Sequence, residues 1–129
     1  MYKALELITT ITDQNRKTSY LYNKKEKILL PITQVYADIP HIYNTLYRII
    51  KALNSDILCT KIYMHCNDKY YAYLTLVTPQ DSVEINICIK DALNFAEKYN
   101  IPIYIRNHIL YKNGFNITRE MIEKALEND

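Results

Sequence analysis

The chain has 129 residues, a formal charge of +2 from 16 Lys+Arg against 14 Asp+Glu, and one glycine, Gly114, where average usage would supply roughly nine. Glycine lets backbone approach a phosphate or take positive φ without a Cβ penalty, so G-x-G-x-x-G, Walker and G-x-S-x-G sites are excluded. The charge is too small to attract nucleic acid or an anionic membrane by long-range field, so such a partner must be met by a local patch.

Hydrophobic residues make up 49% and charged residues 23%, the balance of a globular chain. With no 18-residue apolar stretch and no basic-then-apolar leader, the expectation is one cytoplasmic domain over residues 1–129 with no membrane partner. Cys59, Cys66 and Cys88 are odd in number and lack C-x-x-C spacing, which reads as reduced thiols rather than a disulfide framework or a zinc ribbon.

In chain order, residues 2–12 read as a strand. Strands over 18–22 and 28–33 follow, separated by the polar turns 13–17 and 24–27. Ile39, Ile42, Leu46, Ile49, Ile50 and Leu53 then recur at helical spacing and predict a helix burying that face, with Pro40 in its first turn. The order repeats: a strand over 57–66, a tight Asn67-Asp68 turn, a strand over 69–78, a turn over 79–82, a strand over 83–89 and a helix over about 90–99 burying Ala92, Phe95, Ala96 and Tyr99. Three strands and a helix thus occur twice, offset by roughly fifty-five residues, which predicts a structural duplication. A strand over 101–106 and a short helical turn over 107–113, closed by Gly114, come next. Thr118 caps a final helix burying Met121, Ile122, Ala125 and Leu126. The expected fold is α+β: duplicated three-strand-plus-helix units in a mostly antiparallel sheet, with helices packed on it and a C-terminal helix.

Tyr70-Tyr71-Ala72-Tyr73-Leu74, Val83-Glu84-Ile85-Asn86, Lys90-Asp91-Ala92-Leu93, the Asn100 to Ile105 strand and His108-Ile109-Leu110 arrive in an order that resembles the bifunctional nuclease domain family. Leu30-Pro31-Ile32 and the helix Pro40 to Asn54 extend the resemblance, which covers residues 28–125 and is most specific over 70–110. It implies an α+β fold with internal duplication, a homodimer, and nuclease activity on RNA and DNA. Before its Asp-Ala pair the family carries an acidic residue, a small residue, Arg, Pro and Ser; this chain has Asn86, Ile87, Cys88, Ile89 and Lys90, keeping Asp91 and Ala92. A family His-Asp pair falls on Tyr43 and Asn44. The departures at Tyr43, Asn44, Asn86 and Cys88 each remove a charge or an acid/base group.

Phosphodiester hydrolysis needs charge stabilisation and an activated water, commonly from metals held by clustered carboxylates. Glu84 and Asp91 are the best candidates, as catalytic groups and as ligands of Mg²⁺ or Mn²⁺, if the end of their strand and the start of the next helix share one mouth. Against this, Asp91 charging a helix N-terminus and Glu84 in solvent are ordinary structural roles. Arg106 is the candidate phosphate contact and His108 the candidate general base; His41 and His65 read as structural or surface groups. Strand alternation puts Lys61, Tyr63 and His65 on one side, with Tyr71, Tyr73 and Thr75 sharing a side of the next strand. This is either a base-stacking platform for single-stranded RNA or DNA, a homodimer face, or ordinary packing. Two functions stay open: a metal-dependent nuclease, and a non-catalytic homodimeric interaction or nucleic-acid-binding module.

Overall fold

The computed structural model describes residues 1–35 and 40–127; Ile39 and the side chain of His41 lie outside the described residues. The elements are β1 (Tyr2–Asp13), β2 (Arg16–Asn23), β3 (Ile28–Val35), α1 (Pro40–Ala52), β4 (Asp56–Cys66), β5 (Lys69–Val77), β6 (Ser82–Cys88), α2 (Ile89–Tyr99), β7 (Ile103–Arg106), α3 (Asn107–Asn113), β8 (Phe115–Asn116) and α4 (Arg119–Glu127). The strands form one sheet of order β6-β5-β4-β7-β1-β2-β3-β8. Its neighbours are antiparallel except β4 and β7. The fold is α+β, with both three-strand-plus-helix units present. Since β7 is parallel to β4 and antiparallel to β1, the two meanders run in opposite senses on either side of it.

The turns explain how a chain with one glycine closes its hairpins. Gln14, Lys27, Asn54, Asn67, Asp68 and Asn100 take the left-handed region, and Asn and Asp reach it at least cost among residues with a Cβ. Asn67 and Asp68 both have positive φ between the paired Cys66 and Lys69, the two-residue loop whose twist suits a hairpin. Gly114 itself is extended, at φ −91° and ψ 170°, so it is not a left-handed helix stop. A Cβ there would stand 2.2 Å from Ile28 Cγ2 and about 3 Å from the carbonyl oxygens of Leu110 and Leu29; the position needs space, not conformational freedom.

The core lies on one face of the sheet, where Leu21, Leu30, Ile62, Ile103 and Ile105 meet Ala92, Phe95, Ile109 and Leu110 of α2 and α3. Helix α1 rests on α2, with Tyr43 edge-on to Phe95 and Tyr47 stacked on Tyr99 at 3.9 Å between ring centres. The expected inward face of α1 is therefore corrected: Tyr43 is buried, while Ile42, Leu46, Ile49 and Leu53 are exposed. Helix α4 lies on the opposite face, over β1–β3: Arg119 pairs with Glu6, and the Tyr22 hydroxyl donates to the Ile117 carbonyl at 3.0 Å. Thr118 caps it through its hydroxyl, which accepts from the Met121 N–H at 3.3 Å. Of its four expected core residues only Ile122 is buried, since a helix on half of a sheet face meets it along a narrow stripe. No helix of the described residues is long and apolar enough to cross a membrane.

Candidate nucleic-acid interface

The half of that second face not covered by α4 belongs to β1, β7, β4, β5 and β6. Register places Tyr2 opposite Arg106, Tyr104 between Ala4 and Lys61, Lys61 opposite Tyr73, and Tyr73 opposite Asn86. These side chains share a face because strand residues alternate and Ile103, Ile105, Ile62 and Ala72 take the core side. They are also in contact. Lys61 Nζ lies 5.3 Å from the Tyr2 ring centre and 5.9 Å from that of Tyr73, and the Arg106 guanidinium 5.2 Å from Tyr2. The Tyr2 and Tyr73 hydroxyls are 3.4 Å apart, and Tyr63 donates to Asn86 Oδ1 at 3.2 Å while its ring tilts over Tyr73. Burial, then the Tyr2 hydroxyl and the Glu84 carboxylate, push the Tyr73 pKa far up, so Tyr73 is a neutral phenol at physiological pH. Arg106 Nε is buried without a hydrogen-bond partner.

Of the residues singled out by sequence, the fold therefore gathers Lys61, Tyr63, Tyr73, Arg106 and Glu84. Tyr71 lies further along, opposite Met64 and Cys88. His65 leaves the group: the register shift between Ile62 and Met64 moves it to the other side, opposite Tyr70, with ring centres 4.4 Å apart. A bulge inserts one residue and reverses the alternation beyond it. At the Tyr71 end opens a cleft of about 390 Å³, lined by Arg16, Gln34, Asp68, Lys69, Tyr71 and Cys88 among others. Two cations and one carboxylate leave it net positive.

Asp91 is elsewhere. It stands in the first turn of α2, where Cys88 Sγ donates to its Oδ2 at 2.9 Å and the Tyr43 hydroxyl to its Oδ1 at 2.7 Å. Asn94 Nδ2 donates to the Tyr43 oxygen at 2.9 Å, and Lys17 Nζ to Asn94 Oδ1 at 3.1 Å while pairing with Glu97. This cluster joins β2, α1 and α2, and the expectation of one mouth for Glu84 and Asp91 is corrected. Glu84 projects from the tyrosine side of β6 beside Tyr73, whereas α2 packs on the side of Ile87. His108 is exposed on α3.

The donor set does not fit a resident Mg²⁺ or Mn²⁺. Such ions take several oxygen ligands, yet both Asp91 oxygens already accept hydrogen bonds. No group of three or more His, Cys, Asp or Glu among the described residues could hold a metal. Nor is Cys88 a ready nucleophile, since burial and then the bond to Asp91 raise its thiol pKa.

Tyr43 fixes this cluster, and its behaviour in alkali is a test. Burial, then the hydrogen bond to Asp91, raise its pKa from 10.0 to about 12. The folded state thus holds the proton longer than the unfolded chain, so the contribution is full below pH 10 and is lost as pH climbs towards 12. Thermal melts of Tyr43→Phe across this window are expected to fall less steeply than those of the parent. At neutral pH the variant should be less stable by about 1–2 kcal/mol, because one Asp91 oxygen loses its donor. Parallel curves would mean that another group carries the alkaline dependence.

A protein-family model described as the bifunctional nuclease domain matches residues 22–118. The proteins named Bifunctional nuclease 1 in the indica and japonica subspecies of Oryza sativa, and Bifunctional nuclease in Oryza minuta, are each 24% identical to this chain over 83 residues, 62% of this chain and 25% of theirs. The chain thus spans about a quarter of the length of these curated relatives.

Proposed function

The chain belongs to the bifunctional nuclease domain family, and from that premise we propose that it is a homodimeric, nucleic-acid-binding member that holds single-stranded RNA or DNA on the tyrosine face of its sheet. The observation that carries this reading is the Tyr2, Tyr63 and Tyr73 ladder with Lys61 set between the Tyr2 and Tyr73 rings and Arg106 against Tyr2. Rings offer every base a stacking surface worth about 1–3 kcal/mol, and the two cations meet phosphates between bases. Beyond Tyr71 the net-positive cleft adds Arg16 and Lys69 at the end of the strands. A backbone held by two phosphate contacts should bind roughly sevenfold more weakly when salt rises from about 50 to about 200 mM, and more steeply if the cleft is also used. Titration of labelled single strands at both salts is the test, and no binding at the lower salt ends the proposal.

Hydrolysis by Glu84 and Asp91 around Mg²⁺ or Mn²⁺ is what family membership alone would suggest. The separation of these two carboxylates speaks for binding without that chemistry. Adding either ion is expected to leave the melting temperature unchanged; a rise in the parent that is lost in Glu84→Gln would restore the metal reading.

A further inference from the structure

Resting on the homodimer reading, we infer that α1 is the seam of the dimer, packed antiparallel against α1 of a second copy along Ile42, Leu46, Ile49 and Leu53. These side chains are 51%, 43%, 51% and 66% exposed. Four large residues left about half open make a patch on the order of 400 Å², the size of the largest apolar patch on a typical monomer, which is often functional. Their 4-3-4 spacing is that of alternating coiled-coil core positions, which keeps the stripe straight along one side of the helix and suits it to another helix. The neighbouring stripe is already occupied, by the packing of Tyr43 and Tyr47 on α2.

Charge identifies the occupant. A two-fold contact sets every residue near its own copy, so a self-associating surface must carry little charge of one sign at its centre. The tyrosine face fails that condition, because its two cations, Lys61 and Arg106, outnumber Glu84 and would meet a second Lys61 and Arg106; it suits a polyanion instead. The α1 stripe meets it. Thr45 and Ala52, exposed along the open flank, are small and uncharged and let a second helix approach. The direction follows as well: α1 has no acidic residue in its first turn, and its Arg48 and Lys51 both lie in the C-terminal half. Lys51 is paired with Asp56, so parallel pairing would bring the two Arg48 side chains to one end, whereas antiparallel pairing separates them and opposes the helix dipoles. Leu46 of one copy then lies against Ile49 of the other, and Ile42 against Leu53.

The experiment is sedimentation of the full chain from low micromolar to submillimolar concentration, beside Leu46→Glu and the same-helix control Arg48→Glu. The expected result is a dimer of the 15.3 kDa chain for parent and Arg48→Glu, with monomeric Leu46→Glu giving the parent's far-ultraviolet circular dichroism. A dimer unaffected by Leu46→Glu overturns the seam while leaving the homodimer reading in place; a monomeric parent overturns both. Should Leu46→Glu fail to fold, crosslinking decides. Chains carrying Leu46→Cys are mixed with chains carrying Ile49→Cys, all with Cys66→Ser and Cys88→Ser, and oxidised. Links between the two kinds of chain support the antiparallel seam, and links only within each kind, or none, overturn it.

Discussion

Gly114→Ala is expected to destabilise the fold by about 2 kcal/mol and lower the melting temperature by roughly 5–10 °C. Two effects of opposite sign compete. At φ −91° and ψ 170° an alanine is unstrained, and removing glycine's freedom from the unfolded chain would by itself stabilise by about 0.4–1 kcal/mol. The new methyl, however, would stand 2.2 Å from Ile28 Cγ2 and close to two carbonyl oxygens. Ile28 is a buried core residue paired with β8, and the oxygens are backbone of β3 and α3, so α3 must move away from β3. Overpacking of this kind costs about 1–3 kcal/mol and wins. Ile28→Ala removes the nearest atom at the cost of a cavity, so the double variant should be less destabilised than the sum of the two singles. A melting temperature equal to or above the parent's in Gly114→Ala would mean that the gap between α3 and β3 opens freely.

That residue also marks the boundary of what a single sequence can carry. A lone glycine after a helical segment reads as a left-handed stop, because conformation is a local property; the approach of Ile28, 86 positions earlier, is not local. Strands and helices were legible because their periods are written in consecutive residues, down to the Asn67-Asp68 turn and the Thr118 cap. The inward face of α1 was not. Ile42, Leu46 and Ile49 lie beside Tyr43, Tyr47 and Ile50, two stripes about 100° apart, and hydropathy ranks the first above the second. Tertiary packing reversed the order, since tyrosine buries a large ring while its hydroxyl finds a partner, as Tyr43 does in Asp91.

The candidate site divides in the same way. Lys61, Tyr63, Tyr73 and Glu84 shared a face by alternation alone, whereas one bulge removed His65 from it. The cluster around Asp91 draws on Lys17, Tyr43, Cys88, Asn94 and Glu97, side chains that look ordinary in isolation and are brought together only by the stacking of α1 on α2. The signal pointing there was the resemblance, which sets an expected His-Asp pair at Tyr43 and Asn44. In the fold Tyr43 bonds Asp91, and Asn44 accepts from Tyr99 at 2.6 Å. Tyr43 and Asn44 thus serve here as hydrogen-bonding links between α1 and α2.

Lys61→Glu is the substitution expected to weaken single-strand binding most. Lys61 is central to the tyrosine face, between the Tyr2 and Tyr73 rings, so its ammonium is the charge nearest to any backbone crossing β4. Removing the attraction to a phosphate and adding a repelling carboxylate are each worth about 1 kcal/mol near a surface, together roughly thirtyfold in affinity. Lys61→Met keeps an apolar stem and loses only the attraction, so it should weaken binding about fivefold and make the salt dependence shallower by about one phosphate. Both effects should be uniform across base sequences, because a lysine reads charge and not base edges. Tyr73→Ala differs in kind: it should cost about 1–3 kcal/mol of stacking while leaving the salt dependence intact. Either change at Lys61 also ends the attraction of its ammonium to the two rings, worth about 0.5–1 kcal/mol per ring when exposed, so melting temperatures must accompany the titrations. Binding unchanged in a folded Lys61→Glu chain would move the nucleic acid off this face, and Arg16→Glu in the cleft would then be the next variant to weaken it.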